Sequence, residues 1–412
     1  MVTESITARA KWLTLTAAFL GWMFDGLEMG MFPVVARPAL QELLGTTGDQ
    51  QVGVWMGYIT ALFLLGAASG GIVFGWLGDK IGRVRAMTAS ILIYSIFTGA
   101  CYFSQEAWHL GALRFIAALG MGGEWALGVA LVVESWPDDK RPLMAGVIGA
   151  SANVGNALIG LVTWVFPVSA YSWRWVMLGG VSPALLALFV CVLVPESQRW
   201  KDSVKEQKTN PLLEVFSPKL WKTTLLAIVF SSIALIGTWG SVQWLPLWAA
   251  QMADSTMPQV KGITMLIMSI GAIVGSFFGS WIGARLGRRL AYFVICTISF
   301  ITCTVLFRTV NVFGLEFMIG TFVVGAITAS FYGWLPLYLP ELFPTRARAT
   351  GQGLSYNAGR IFAAVGAITQ GQLVNHFGGS YAQAGAVITM VYLAGMVLIW
   401  FGRETKGQPL PE

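Results

Sequence analysis

Gly75-Trp-Leu-Gly-Asp-Lys-Ile-Gly-Arg-Val-Arg-Ala86 is followed 205 residues later by Ser280-Trp-Ile-Gly-Ala-Arg-Leu-Gly-Arg-Arg-Leu-Ala291, in a chain of 412 residues. Trp76 aligns with Trp281, Gly78 with Gly283, Gly82 with Gly287, Arg83 with Arg288 and Ala86 with Ala291. A second pair keeps nearly the same offset. Glu134-Ser-Trp-Pro137 with Arg141 and Gly146 recurs 207 residues on as Glu341-Leu-Phe-Pro344 with Arg348 and Gly353. Charged, glycine-bearing loops repeated half a chain apart, between long apolar stretches, point to a membrane protein built from two similar halves.

Composition supports this reading. Hydrophobic residues make up 56% of the chain and charged residues 11%, against about 25% charged in soluble domains. So little charge cannot cover the surface of a soluble protein of this size. The four cysteines, Cys101, Cys191, Cys296 and Cys303, fall in apolar stretches without a C-x-x-C spacing, which favours buried packing over a disulfide or a metal. His109 and His376 stand alone, and the chain has no P-loop, no H-E-x-x-H and no soluble catalytic region. No metal, no cofactor and no enzymatic activity are expected. The first apolar run, about Leu13 to Val35, lacks a small-residue cleavage site and carries Asp25 and Glu28, so it reads as a retained first span.

A membrane helix needs roughly 20 mainly apolar residues. Stretches that qualify fall at 14–36, 52–78, 86–104, 107–133, 142–166, 174–194, 223–249, 259–284, 290–307, 312–338, 348–374 and 379–402. The predicted fold is an all-α membrane protein with twelve transmembrane helices in two pseudo-symmetric six-helix bundles, 1–194 and 223–412. Residues 195–222, rich in Lys, Glu, Gln and Ser, form the expected cytoplasmic linker. With both termini inside, 20 of the 26 Lys and Arg lie on inner segments; Arg37, Arg174, Lys261 and Arg308 lie outside, and Arg114 and Arg360 lie within spans. The positive-inside rule therefore predicts a multi-pass protein of the cell membrane with cytoplasmic termini. The net charge of +6 is accounted for by the inner leaflet and calls for no nucleic-acid partner.

A charge inside a span costs roughly 2.5–3.5 kcal/mol on insertion scales. Five ionisable residues carry that cost: Asp25 and Glu28 in span 1, Arg114 and Glu124 in span 4, and Arg360 in span 11. Asp25 and Glu28 are three residues apart and share one helix face. Two carboxylates on one desolvated face resist joint ionisation, which makes a group able to take up and release protons. Glu124, in Gly120-Met-Gly-Gly-Glu-Trp125, is a second proton-handling candidate because its glycines let helices approach. Arg360, beside Tyr356 and Asn357, is the candidate substrate anchor. Arg114 is the alternative anchor, although it reaches the span-1 acids more easily; its bland reading is an ion pair with Asp25 or Glu124. Asn153, Asn156, Gln243 and Tyr332 are further candidates for a cavity wall, although such residues more often bond between helices. Trp239 is a candidate to stack on a ring, although many tryptophans anchor at the interface. The partners so implied are a small-molecule substrate, protons and the lipid bilayer, with a monomer expected.

The loop from Gly75 to Arg85 resembles the G-x-x-x-D-[RK]-x-G-R-[RK] signature of the major facilitator superfamily. The resemblance implies a latch between the halves. Gly75 and Gly82 would permit a tight turn and close helix contact. Asp79 would meet a helix N-terminus, and Arg83 and Arg85 would meet carboxylates such as Glu134. Arg141, Arg285, Gly287, Arg288, Glu341 and Arg348 complete the candidate gating set. The second copy carries Ala284 where the acid should stand, so the weaker latch is expected there. Phe24-Asp-Gly-Leu-Glu28, Gly122-Gly-Glu-Trp125, Pro340-Glu-Leu-Phe-Pro-Thr345 and Tyr356-Asn-Ala-Gly-Arg360 are similar to segments of metabolite–proton symporters, in particular sialic acid and aromatic acid carriers. That similarity implies a secondary transporter moving a small organic anion with protons by alternating access. Pro195-Glu-Ser-Gln-Arg199 and Glu404-Thr-Lys-Gly407 resemble sugar-porter signatures, yet Ser241-Val-Gln243 stands where a sugar porter has a glutamine pair. A neutral sugar or polyol carrier and a drug/proton antiporter are the alternatives.

Overall fold

The computed structural model describes residues 8–45, 49–166, 172–206, 210–253 and 259–411. Residues 1–7 of the expected cytoplasmic N-terminus and 207–209 of the expected linker lie outside the described residues. The first part of the chain forms α1 (Ala8–Leu44), α2 (Asp49–Ile81), α3 (Arg83–Ala100), α4 (Ala107–Met121), α5 (Glu124–Ser135), α6 (Arg141–Val165), α7 (Trp173–Gly179) and α8 (Ala184–Leu193). Two short helices follow, α9 (Gln198–Glu206) and α10 (Pro211–Val215). The second part forms α11 (Trp221–Gly240), α12 (Leu245–Met252), α13 (Val260–Leu286), α14 (Arg288–Thr309), α15 (Leu315–Leu342), α16 (Arg348–His376), α17 (Tyr381–Ile388) and α18 (Val391–Leu398). No strand occurs among the described residues.

Four of the expected spans are broken, each for a local reason. Span 4 divides into α4 and α5 at Gly122-Gly123, whose missing side chains leave the backbone free to tighten. Span 6 divides at Pro183, which lacks the N–H that a continuous helix needs. Span 7 divides at Ser241, whose hydroxyl donates back to Gly237 O at 2.8 Å, and α12 then starts with Pro246 in its first turn. Span 12 divides at Thr389, whose hydroxyl donates back to Ala386 O at 3.0 Å. The expected linker is helical in part: Asn210 caps α10 by accepting from Leu212 N, with Pro211 at its first position.

Ten helical segments among the described residues are long and apolar enough to cross a membrane. The two remaining long helices are α1 and α16. Their apolar character is diluted by Asp25 and Glu28 in one, and by Gln352, Ser355, Asn357 and Arg360 in the other. Leu185, Leu188, Val192, Val365 and Ile368 point outward and stay exposed, as a surface facing lipid requires. Helix α1 packs on α5 and α6, α2 on α4 and α16, α6 on α13 and α15, and α11 on α16. Of the cysteines, Cys101, Cys296 and Cys303 are buried as expected, but Cys191 is exposed on α8.

Candidate functional site

A cavity with two adjoining lobes lies between α1, α6, α11, α15 and α16; the larger lobe is partly open and takes in about 450 Å³ of space, open solvent included. Asn153, Asn156, Trp239, Gln243, Tyr332, Tyr356 and Arg360 all line that lobe. So does Trp22, one of the tryptophans whose type allows it to stack on a ring, and so do Met29 and Thr238, which a reading by residue type passes over. Trp22 and Met29 are seven residues apart on the helix that carries Asp25, and that spacing was the available signal. The second lobe adds a softer wall of Met265, Met268, Ser269 and Thr328.

Arg360 is 3% exposed and reaches the cavity from α16. Its Nη1 donates to Asn357 Oδ1 at 3.0 Å. Its guanidinium lies 5.1 Å from the ring centre of Tyr356 and 6.0 Å from that of Trp22. Among the described residues six arginines are buried: Arg83, Arg114, Arg141, Arg288, Arg348 and Arg360. The first five are ion-paired. Arg360 has no such partner. Asn357 is turned away from the cavity: its Nδ2 donates to Gly353 O at 2.9 Å and reaches Gly122 O at 3.4 Å.

The intramembrane acids do not pair as their sequence spacing suggests. Glu28 forms an ion pair with Arg114 and accepts from Thr98 Oγ1 at 3.1 Å. Arg114 is sandwiched between Phe32 and Phe63, its guanidinium 4.7 and 4.6 Å from their ring centres. That ion pair takes Arg114 off the cavity wall and gives Glu28 a fixed cation, so the expected Asp25–Glu28 unit is replaced. Asp25 instead meets Glu124 within hydrogen-bonding reach. No N–H or O–H donor reaches any of the four carboxyl oxygens of this pair. Two buried carboxyl groups in contact without a donor resist joint ionisation. Gly21 makes the room, since a methyl group there would stand 2.1 Å from Glu124 Oε1.

The paired loops gather at one end of the bundle. Arg83 Nη1 pairs with Asp79 at 2.8 Å, and its Nη2 donates to Glu134 at 3.0 Å and to Thr345 O at 2.8 Å. Asp79 accepts from Ala349 N at 3.3 Å and Thr350 N at 2.7 Å, the N-terminus of α16. Arg348 reaches Glu134 at 3.0 Å. In the second copy Arg288 grips Glu341 with two bonds, 2.9 and 2.6 Å. Arg141 stands 3.9 Å from Glu341 and pairs with Asp138. Gly75 lets α2 approach the start of α16, with Ala349 O 2.8 Å from where its methyl would stand. Arg85 and Arg285 are exposed. Arg85 takes no part in the Glu134 ion pairs, and Arg285 lies beside the Trp281 ring.

Two further pairs belong to these networks. Glu196 accepts from Arg83 N and Val84 N at 3.0 and 3.1 Å, and Glu404 accepts from Arg288 N and Arg289 N at 3.0 and 3.1 Å. Each glutamate caps the helix after its loop. Next to them, Ser197 donates to Glu134 and Thr405 donates to Glu341 at 2.6 Å. The signal was a third repeat, Glu196-Ser197 against Glu404-Thr405, 208 residues apart. Burial pushes the Glu196 carboxyl above its ordinary value, against the pull of the Ser197 and Val84 N–H groups. For Glu404, burial also pushes upward, but N–H groups of Arg288, Arg289, Lys406 and Thr405 outweigh it and hold the carboxyl below.

The family model of the Major Facilitator Superfamily matches residues 17–268 and 252–412. The sialic acid transporter NanX of Escherichia coli (strain K12) is 29% identical over 93% of this chain and 92% of its own length. The cis,cis-muconate transport protein of Acinetobacter baylyi (strain ATCC 33305 / BD413 / ADP1) is 28% identical over 95% and 94%. Among solved structures, the proton:xylose symporter XylE bound to 6-bromo-6-deoxy-D-glucose superposes with a TM-score of 0.79 at 16% identity, covering 97% of this chain and 98% of that one. That likeness shows the fold. The chain belongs to the Major Facilitator Superfamily and is a multi-pass membrane transporter of small-molecule metabolites.

Proposed function

We propose that this transporter moves a small organic carboxylate together with protons, by alternating access, with both termini on the cytoplasmic side. The observation that carries the reading is Arg360, a buried guanidinium on the cavity wall with no carboxylate within ion-pair distance among the described residues, the Asp25–Glu124 pair facing it from farther off. Burying an unpaired charge costs several kcal/mol, and the arginine fork accepts a carboxylate through two parallel bonds. A neutral sugar or a cationic drug leaves that cost standing. The relatives named for sialic acid and cis,cis-muconate, both carboxylates, support the choice.

The Asp25–Glu124 pair is the proton site in this reading, because it holds a proton without metal or nucleotide. Residues 1–194 and 223–412 rock about the cavity, and the network of Asp79, Arg83, Glu134 and Arg348 holds the loop end shut. Reconstituted protein provides the test, with labelled sialic acid, cis,cis-muconate and niacin offered to liposomes. An inward proton gradient accelerates uptake of at least one of them, and Glu124→Gln removes the acceleration while leaving exchange. Uptake indifferent to the gradient and to ionophores would overturn the coupling.

A further inference from the structure

Tyr356 and Asn357 lie one turn before Arg360 on α16, and both reach across to the short stretch that carries Glu124. The Tyr356 ring stacks on Trp125, with centroids 4.2 Å apart and planes 20° apart. The Asn357 amide fills a notch between three helices. A methyl group on Gly71 of α2 would stand 1.8 Å from Asn357 Nδ2, and one on Gly122 would stand 2.7 Å from Gly71 N. One end of this amide bonds Arg360, and the other faces the Gly122 carbonyl at the break between α4 and α5. Glu124 begins α5 two residues later.

We propose that Asn357 is a positioning residue that couples occupancy of Arg360 to the protonation of the Asp25–Glu124 pair, rather than a substrate ligand. The inference rests on the proton and carboxylate reading above. A carboxylate that takes two parallel donors of Arg360 reorients the whole planar guanidinium, since its donors sit in a fixed fork, and so draws Nη1 off Asn357 Oδ1. Freed at its oxygen, the amide loses the bond that fixes its plane, and its long 3.4 Å contact from Nδ2 to Gly122 O gives way before the 2.9 Å bond to Gly353 O within α16. Two adjacent glycines let that turn shift cheaply. A small shift matters, because Glu124 touches Asp25 only through the space that Gly21 leaves. The charged or titratable groups facing the pair are Glu28 on α1, Tyr94 on α3, Arg114 through Glu28, and Tyr356 and Arg360 on α16. Asn357 is neutral, so its effect on the pair's titration acts through position.

The test needs no substrate. In full-length protein in lipid nanodiscs, an infrared pH titration follows the C=O stretch of protonated carboxyl groups, and loss of a band in Glu124→Gln assigns it. Arg360→Lys keeps the charge and loses the fork. It is expected to move the Glu124 midpoint by about half a pH unit, a roughly threefold change in proton affinity. In an Asn357→Ala background the same change is expected to move it by less than half as much. Asn357→Ser serves if Asn357→Ala fails to fold, with melting curves as the control. Equal shifts in both backgrounds, or no shift in either, would overturn the role of Asn357 alone. A Glu124 carboxyl that does not titrate in the native protein would remove the proton reading and this inference with it.

Discussion

The two repeated loops close the same end of the molecule, and they do so unequally. Both turn at a glycine with positive φ, 112° at Gly82 and 91° at Gly287. In both, a glutamate caps the following helix and an arginine pairs with a buried glutamate. Beyond that common frame they diverge. From the first copy, Asp79 holds two amides of α16, Arg83 reaches Thr345 O, and Glu134 receives Arg348. From the second copy, Arg288 keeps to Glu341 and Gly283 O, and the crossing ion pair is Arg141–Glu341 at 3.9 Å. Two substitutions account for the difference. Ala284 replaces the acid, and Pro142 stands at the repeat position of Ala349. Proline has no N–H, so the start of α6 lacks one of the donors that α16 gives to Asp79. The local fold survives in both copies because capping and pairing are internal to each. The grip across the molecule is a separate property, concentrated in the first.

The largest expected effect comes from Glu134→Ala, which leaves Arg348 in a buried site without its carboxylate and Arg83 with Asp79 alone. Removing one partner of a buried pair costs about 3–5 kcal/mol, enough to open the loop end. A cysteine placed at Asn153, in a Cys191→Ser background, reports it through impermeant reagents applied from each side. Glu341→Ala should open the loop end less, and equal labelling in the two variants would break the comparison. Asp79→Asn comes next. Loss of a carboxylate at a partly buried helix N-terminus is worth up to about 2 kcal/mol, and the same accessibility assay reads it. Ala284→Asp runs in the opposite direction but is smaller, about 0.3–1 kcal/mol of added closure, because Pro142 offers no amide. A gain as large as the Asp79 loss would show that proline is not the limit.

The smallest effect separates the two caps by pH. Glu196 sits above the ordinary carboxylate value and Glu404 below it. Folding therefore favours the protonated form of Glu196, and its stabilising effect fades as pH rises through the window above about 4.3. The contribution of Glu404 is present above that value and fades as pH falls through its lowered one. On acidification, protection of the Arg83 and Val84 amides should rise through the window above about 4.3, whereas protection at Arg288 and Arg289 should fall below it. Coincident transitions would remove the distinction.

How much of this was legible in residues follows physical lines. Repeats and apolar runs are one-dimensional, so the loops and most spans read directly from Gly75–Ala86 and Ser280–Ala291. Arg360 was conspicuous because a charge in a span is costly wherever it points. That Arg114 reaches a span-1 acid was legible; which of the two it takes, and the pairing of Asp25 with Glu124, were not. Both depend on how α1 is rotated against α4 and α5, and three-residue spacing only says that Asp25 and Glu28 share a side. The helix breaks at Ser241 and Thr389 were hidden for a similar reason, since their flanks remain apolar. Glu196 and Glu404 stand out in the sequence only as parts of sugar-porter-like signatures; their capping role depends on the helix starts that fold beside them.

The central claim is that Arg360 anchors a carboxylate. Isothermal titration calorimetry on purified protein tests it, with sialic acid, cis,cis-muconate and niacin set against xylose, and folding of each variant checked by thermal melts. The account predicts that at least one carboxylate binds, that Arg360→Lys weakens it tenfold or more (about 1.4 kcal/mol), and that Arg360→Ala abolishes it. Binding of xylose in place of the acids, or undiminished carboxylate binding by folded Arg360→Ala protein, would contradict it.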